Sequence, residues 1–238
     1  MTGGLDVLAG PLCVALDRPD DESVQRLAMQ TAEHAGLFKL GLTAFTRLGP
    51  AVVTRLAERR PVFLDLKLHD IPAQVEGAIA GVEAAGASFT TVHALGGAAM
   101  VRAAVSAASR VRVLAVTVLT SLDATELASL GFREDVEATV VGLARRALQA
   151  GADGLVCSPL EVAALRREFG SRREGGPWLV VPGVRPTSSA TDDQLRTAGP
   201  RATLERGADV LVVGRPVTTA PDPTAAVADL VAEIARAG

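Results

Sequence analysis

Three charged side chains interrupt an otherwise apolar run: Asp65, Lys67 and Asp70 in Phe63-Leu64-Asp65-Leu66-Lys67-Leu68-His69-Asp70-Ile71-Pro72. Residues two apart on a strand share a face, so Asp65 and Lys67 point one way while Leu64, Leu66 and Leu68 point the other. Burying an unpaired carboxylate or ammonium costs several kcal/mol, so charges on the inner side of a strand require a paired network, a ligand, or both. A lysine with acids on either side is held as the ammonium ion. That makes it a poor imine nucleophile and suits it to donating a proton, or to stabilising negative charge as it develops on a reacting atom.

Other polar residues stand at comparable places. Asp17 follows the apolar run Leu12–Leu16 and precedes Pro19, where it fits either a turn or helix cap or a binding role. Lys39 lies between Phe38 and Leu40 in a short apolar run and needs a partner for its ammonium. His93 ends another such run, where it could equally satisfy neighbouring backbone groups, and Thr117, Thr120 and Ser121 follow the next. His34 and His69 read as solvated or packing residues. Near the C-terminus, Pro182-Gly183-Val184-Arg185-Pro186 and Gly214-Arg215-Pro216 combine glycine with arginine. Glycine lets backbone N–H groups approach phosphate oxygens, and arginine adds charge-assisted, bidentate bonds.

The elements that would position these residues alternate in type. Strands are expected at Leu12–Leu16, Phe38–Gly41, Val62–Lys67, Phe89–His93, Val111–Val118, Gly154–Cys157, Trp178–Val181 and Val210–Val213. Segments of helical period lie between them: Glu22–Ala35, Pro50–Glu58, Ala73–Ala85, Ala98–Ala108, Val136–Ala150, Leu160–Phe169 and Thr224–Arg236, with the seventh helix weak. Gly36, Gly86, Gly151 and Gly207 each precede a strand, where a left-handed helix cap belongs. Near-continuous apolar strands imply a parallel sheet covered by helices, and eight units favour closure. The expected fold is therefore α/β, a (β/α)8 TIM barrel forming a single domain over residues 1–238, since such barrels commonly run near ~250 residues. In that fold the active site lies at the C-terminal ends of the strands, and the loops after strands seven and eight commonly hold phosphate. The polar stretch Pro182–Pro200 reads as a functional loop.

Composition narrows the partners. The chain is 48% hydrophobic but only 3% aromatic, with no Tyr, which disfavours a stacking platform for single-stranded nucleic acid. A net charge of -3 provides no general attraction for polyanions, so a phosphate must be held locally. The N-terminus lacks the features of a signal peptide and no apolar run reaches the ~18 residues needed to span a membrane, so the expectation is a cytoplasmic protein with neither nucleic acid nor membrane as partner. Cys13 and Cys157 are too few for a disulfide framework and read as buried free thiols. No dinucleotide fingerprint or Cys/His metal spacing occurs, so neither cofactor nor metal is expected.

Four motifs, in order along nearly the whole chain, resemble those of bacterial-type orotidine 5'-monophosphate decarboxylase: Asp65-Leu66-Lys67-Leu68-His69-Asp70-Ile71-Pro72, Val116-Thr117-Val118-Leu119-Thr120-Ser121, Val181-Pro182-Gly183-Val184-Arg185-Pro186 and Val212-Val213-Gly214-Arg215-Pro216-Val217-Thr218. The first is highly specific, whereas the last is shared by other phosphate-binding barrels. The resemblance implies cofactor-independent conversion of orotidine 5'-monophosphate to uridine 5'-monophosphate in pyrimidine synthesis. It implies that Lys67 protonates C6 and that Asp65 faces the leaving carboxylate. It further implies that Lys39 and Asp17 hold the ribose hydroxyls, with Lys39 also completing the alternating array of catalytic charges, that Thr120 lies near the pyrimidine amide, and that Arg185, Gln194, Gly214 and Arg215 form the phosphate site. By the same resemblance Ile71 contacts the substrate, and Asp70, with the residue at 74, would complete the neighbouring site of a homodimer. There the chain departs from the pattern: Ala73-Gln74 stands where the family usually has Asn-Thr, though Gln74 can still donate and accept hydrogen bonds. Sugar-phosphate enzymes of the same superfamily share an Asp-x-Lys-x-x-Asp motif but use magnesium. They typically place an acid where this chain has Lys39.

Overall fold

The computed structural model describes residues 8–133, 135–184 and 198–235. Its strands are β1 (Leu12–Ala15), β2 (Leu37–Gly41), β3 (Val62–Leu68), β4 (Phe89–His93), β5 (Arg112–Val116), β6 (Gly154–Val156), β7 (Trp178–Val181) and β8 (Val210–Val213). They pair in sequence order, all parallel, and β8 closes on β1, giving the expected (β/α)8 TIM barrel. The helices are α1 (Asp21–Thr31), α2 (Leu42–Leu48), α3 (Ala51–Ala57), α4 (Pro72–Ala84), α5 (Gly97–Ala107), α6 (Ala124–Ser129), α7 (Val136–Gln149), α8 (Val162–Phe169), α9 (Pro200–Glu205), α10 (Arg215–Thr218) and α11 (Pro223–Ala235).

Strand alternation explains the two layers of core. Leu12 and Val14, Phe38 and Leu40, and Val62 and Leu64 face outward and pack beneath the helices. Cys13 and Ala15, Leu37, and Phe63 face inward with Phe89, Leu114, Val116, Val156, Trp178, Val180, Val210 and Val212. Full burial of each Val, Leu or Phe side chain among them contributes roughly 1.5–3 kcal/mol. Deep in the barrel Phe89 meets Trp178 edge-on, with ring centroids 5.6 Å apart. Both cysteines are buried and neither is in a disulfide, and burial pushes the Cys13 thiol up, against the nearby Lys39 charge.

Several boundaries differ from those expected. Strand β5 stops at Val116 rather than Val118, where its pairing with β4 and β6 also runs out. Helix α1 ends at Thr31 rather than Ala35, and the segment 50–58 contains α3 preceded by a separate helix, α2, that starts directly from β2. Short α6 was not expected, although Asp123 and Glu126 form a reciprocal capping box, a pattern legible in sequence. The weak seventh helix is α9, six residues long. Gly86, Gly151 and Gly207 do adopt left-handed conformations, but Gly36 does not. A Cβ at Gly36 would lie 1.9 Å from the Gly10 carbonyl oxygen, so close backbone approach, not a left-handed cap, requires glycine there.

Candidate active site

Lys39 and Asp65 reach the barrel interior because they continue the inward rows begun by Leu37 and Phe63. The β2–β3 register sets Lys39 beside Phe63 and Gly41 beside Asp65. On β1, Ala15 pairs with Lys39, and Asp17 follows just past the strand end. The four charges form an alternating chain. Lys39 Nζ lies 3.0 Å from Asp17 Oδ2 and 3.7 Å from Asp65 Oδ2, and Lys67 Nζ lies 2.9 and 2.8 Å from Asp65 Oδ1 and Oδ2. Asp17 and Lys67 are the more exposed ends, with 38% and 39% of their side chains accessible, against 12% and 11% for Lys39 and Asp65.

Burial alone would push the Asp65 carboxyl up. The Lys39 and Lys67 charges, with hydrogen bonds from Lys67 and Thr91, outweigh it and hold Asp65 below the usual carboxylate range. Burial likewise opposes the Lys39 ammonium, but Asp65 and Asp17 raise its pKa above the ordinary lysine value. The centre of the array is thus a buried ion pair with both members ionised.

The strand carrying Asp65 and Lys67 is not regular. Leu64 pairs with Thr90 and Leu68 with Val92, so three residues of β3 oppose the single Thr91 of β4. Lys67 occupies the resulting bulge at φ +51, the one non-glycine residue of positive φ among those described. This conformation costs of order 1 kcal/mol for a residue with a side chain. The Thr91 hydroxyl spans the bulge: it accepts from the Lys67 backbone N–H at 2.8 Å and donates to Asp65 Oδ1 at 2.9 Å.

Asp17, Lys39, Asp65 and Lys67 border a cavity of about 650 Å³ at the C-terminal end of the barrel, within the range of small-molecule sites. Its floor is apolar, formed by Phe63, Val116, Val156 and Val212. Thr120 lines one side. Gly183, at φ +78, also lines it, together with Gly214 and Arg215 where α10 begins. Asp17, Lys39, Asp65, Lys67, Thr120, Gly214 and Arg215 are therefore brought to one cavity. Arg185 and Gln194 lie outside the described residues.

Asp70, Ile71 and Gln74 do not join that cavity within one chain. Asp70 is exposed beyond β3, its carboxylate accepting from the Ile71 N–H at 2.7 Å. With His69, Pro72, Leu95 and Gly96, Asp70 and Ile71 line a second depression, and Gln74 is exposed on the first turn of α4. Ile71 and Leu95 are unusually exposed for apolar residues, at 64% and 42%. His69 stacks on His93, with ring centroids 5.3 Å apart, and burial, His69 and Lys67 all lower the His93 pKa.

Two contributors were missed in the sequence. Thr91 is a favourable strand residue in an apolar run, and nothing in its context marks its hydroxyl. Gly41 donates its N–H to Asp17 Oδ1 at 2.8 Å. A Cβ there would lie 2.6 Å from Asp17 Oδ1 and 2.9 Å from Lys39 Nζ, so the site needs glycine for space rather than for a special backbone angle. Among the described residues, no three His, Cys, Asp or Glu side chains are gathered as metal ligands would be, and no helix is long and apolar enough to cross a membrane.

Residues 10–230 match the Orotidine 5'-phosphate decarboxylase / HUMPS family. The chain is 51% identical over 233 residues to an orotidine 5'-phosphate decarboxylase of Thermobifida fusca, covering 97% of this chain and 98% of that protein. It is 56% identical over 217 residues to one of Anaeromyxobacter dehalogenans, covering 90% and 94%. Among solved structures, orotidine 5'-phosphate decarboxylase from Lactobacillus acidophilus is similar with a TM-score of 0.82 and 35% identity, covering 94% of this chain and 99% of that one.

Proposed function

The chain belongs to the Orotidine 5'-phosphate decarboxylase / HUMPS family, and from that premise we propose that it decarboxylates orotidine 5'-monophosphate to uridine 5'-monophosphate in pyrimidine biosynthesis, with Lys67 as proton donor and Asp65 facing the leaving carboxylate. The observation that carries the reading is the Asp17–Lys39–Asp65–Lys67 array at the mouth of one cavity.

Loss of carbon dioxide leaves the bonding electron pair on C6 of the pyrimidine, where it is poorly delocalised, so a cation must stand where the charge develops. The Lys67 ammonium fills that role and passes its proton to C6; the lysine is then reprotonated from solvent. Asp65, held ionised by Lys39 and Lys67, repels the substrate carboxylate. At an effective dielectric near ~20, two such charges ~4 Å apart repel by about 4 kcal/mol, roughly a thousandfold in rate at most. Repulsion alone would also weaken binding, so attraction remote from the reacting carbon must offset it. Gly214 and Arg215, with Arg185 and Gln194, supply it by holding the phosphate, while Lys39 and Asp17 bind the ribose hydroxyls and Thr120 the pyrimidine amide.

In this reading the active unit is a homodimer. Asp70 and Ile71, turned away from their own cavity and beside exposed Leu95, serve the partner's site together with Gln74. The reaction needs no cofactor. The test is spectrophotometric: orotidine 5'-monophosphate should be consumed by folded protein in a chelator-containing buffer. A strict requirement for magnesium with a sugar-phosphate substrate would instead favour the other branch of the family.

A further inference from the structure

The bulge in β3 solves a geometric problem and leaves another. Three residues of β3 facing one of β4 let Lys67 turn back so that its ammonium meets Asp65, two residues earlier on the same strand. The same bulge takes the Lys67 backbone N–H out of the strand ladder, and a buried amide needs an acceptor. The fully buried Thr91 supplies one. Its hydroxyl has one proton to give, and that proton goes to Asp65 Oδ1. One side-chain oxygen therefore fixes both the backbone of the proton donor and the orientation of the neighbouring carboxylate.

We propose that Thr91 is a positioning residue for the reaction, its hydroxyl holding Lys67 and Asp65 in their mutual geometry by bonding to both. The role rests on the decarboxylase reading above. It separates from ordinary core packing because the two roles depend on different atoms of the same side chain. Positioning needs the oxygen, which serine keeps and valine lacks; packing needs the volume, which valine keeps and serine does not.

The test compares Thr91→Val and Thr91→Ser, reading kcat for orotidine 5'-monophosphate, the Kd of uridine 5'-monophosphate, and thermal stability. Thr91→Val is expected to lower kcat about ten- to hundredfold, as sub-ångström to ångström misplacement of reacting groups does, with nucleotide affinity within about threefold of wild type. Thr91→Ser is expected to retain kcat within about threefold even though it removes a packed methyl. The acid limb of kcat should also move to higher pH in Thr91→Val, because Asp65 loses a hydrogen bond that favours its ionised form. Should Thr91→Val fail to fold, Thr91→Cys, similar in size but a weaker hydrogen-bonding group, carries the same expectation of reduced kcat. The reverse order, with Thr91→Ser the slower enzyme, or wild-type kcat in Thr91→Val or Thr91→Cys, would overturn the role of Thr91 while leaving the decarboxylase reading intact. Absence of turnover by the wild-type chain would overturn both.

Discussion

Lys67 Nζ lies within 2.9 Å of both carboxylate oxygens of Asp65, and the lysine achieves this from a left-handed backbone conformation, φ +51. Two residues apart on a regular strand they would stand side by side on one face. The bulge instead folds the second back over the first, so strain at one residue is offset by a charge-assisted pair and by the Thr91 hydrogen bonds. Strain thus persists beside a buried ion pair at the rim of the cavity.

The first consequence concerns pH. The native Asp65 pKa is lowered, so its contribution to stability is complete above the ordinary carboxylate value near ~3.9 and is lost only as pH falls through the lower native value. The native Lys39 pKa is raised, so its contribution is complete below the ordinary lysine value near ~10.4 and is lost only as pH rises through the higher native value. Neither group changes charge between about pH 5 and pH 9, and kcat should show no limb from either in that window. His93, whose pKa is lowered from 6.5, is neutral at pH 7, and its titration is removed in His93→Gln. A kcat profile that still bends within the window when both imidazoles are removed, in His93→Gln with His69→Gln, would contradict this assignment of charges.

Gly41 gives a test of the proposed ribose-binding role of Asp17 and Lys39. In Gly41→Ala the new methyl must displace Asp17, Lys39 or both, since its nearest atoms would lie at 2.6 and 2.9 Å. Backbone φ at this position, -92, is ordinary for alanine, so the fold should tolerate the change. Steady-state kinetics should show KM raised about tenfold or more, equivalent to roughly 1.4 kcal/mol of lost binding, with thermal stability changed little. An unchanged KM would show that Asp17 and Lys39 are free to move without consequence for the substrate.

Asp70 tests the proposal that the site is shared between subunits. Lys67→Ala and Asp70→Ala should each be inactive alone. If Asp70 serves the partner, a hybrid dimer contains one site with both residues intact. Random reassortment of an equal mixture should then restore about a quarter of wild-type activity, as isologous pairing requires. No recovery after verified subunit exchange would place Asp70 in its own chain's site, and an active Asp70→Ala would place it outside the chemistry.

The parts of this architecture that were legible in sequence are those where residue type conflicts with its surroundings. Asp65, Lys67 and Lys39 stood out because charges in apolar strands need partners, and each has one. Barrel closure followed from eight alternating units, and Gly214-Arg215 from its place after the last strand. Thr91 and Gly41 were silent because threonine suits any strand and glycine any strand end; their roles arise from register and from space, which only the folded barrel defines. Helix α2 was hidden because it follows β2 with no intervening turn residues, and Gly36 was misjudged because its constraint comes from Gly10, distant in sequence. The bulge had no local signature at all: it is a property of β3 against β4, not of either strand alone.

The most direct measurement is made on Lys67→Ala, reading turnover of orotidine 5'-monophosphate and binding of uridine 5'-monophosphate on the same preparation. Removing the cation placed where charge develops should lower kcat by at least about a thousandfold, while the product nucleotide still binds within about tenfold of wild type. Turnover within tenfold of wild type by correctly folded Lys67→Ala would contradict the assignment of Lys67 as proton donor.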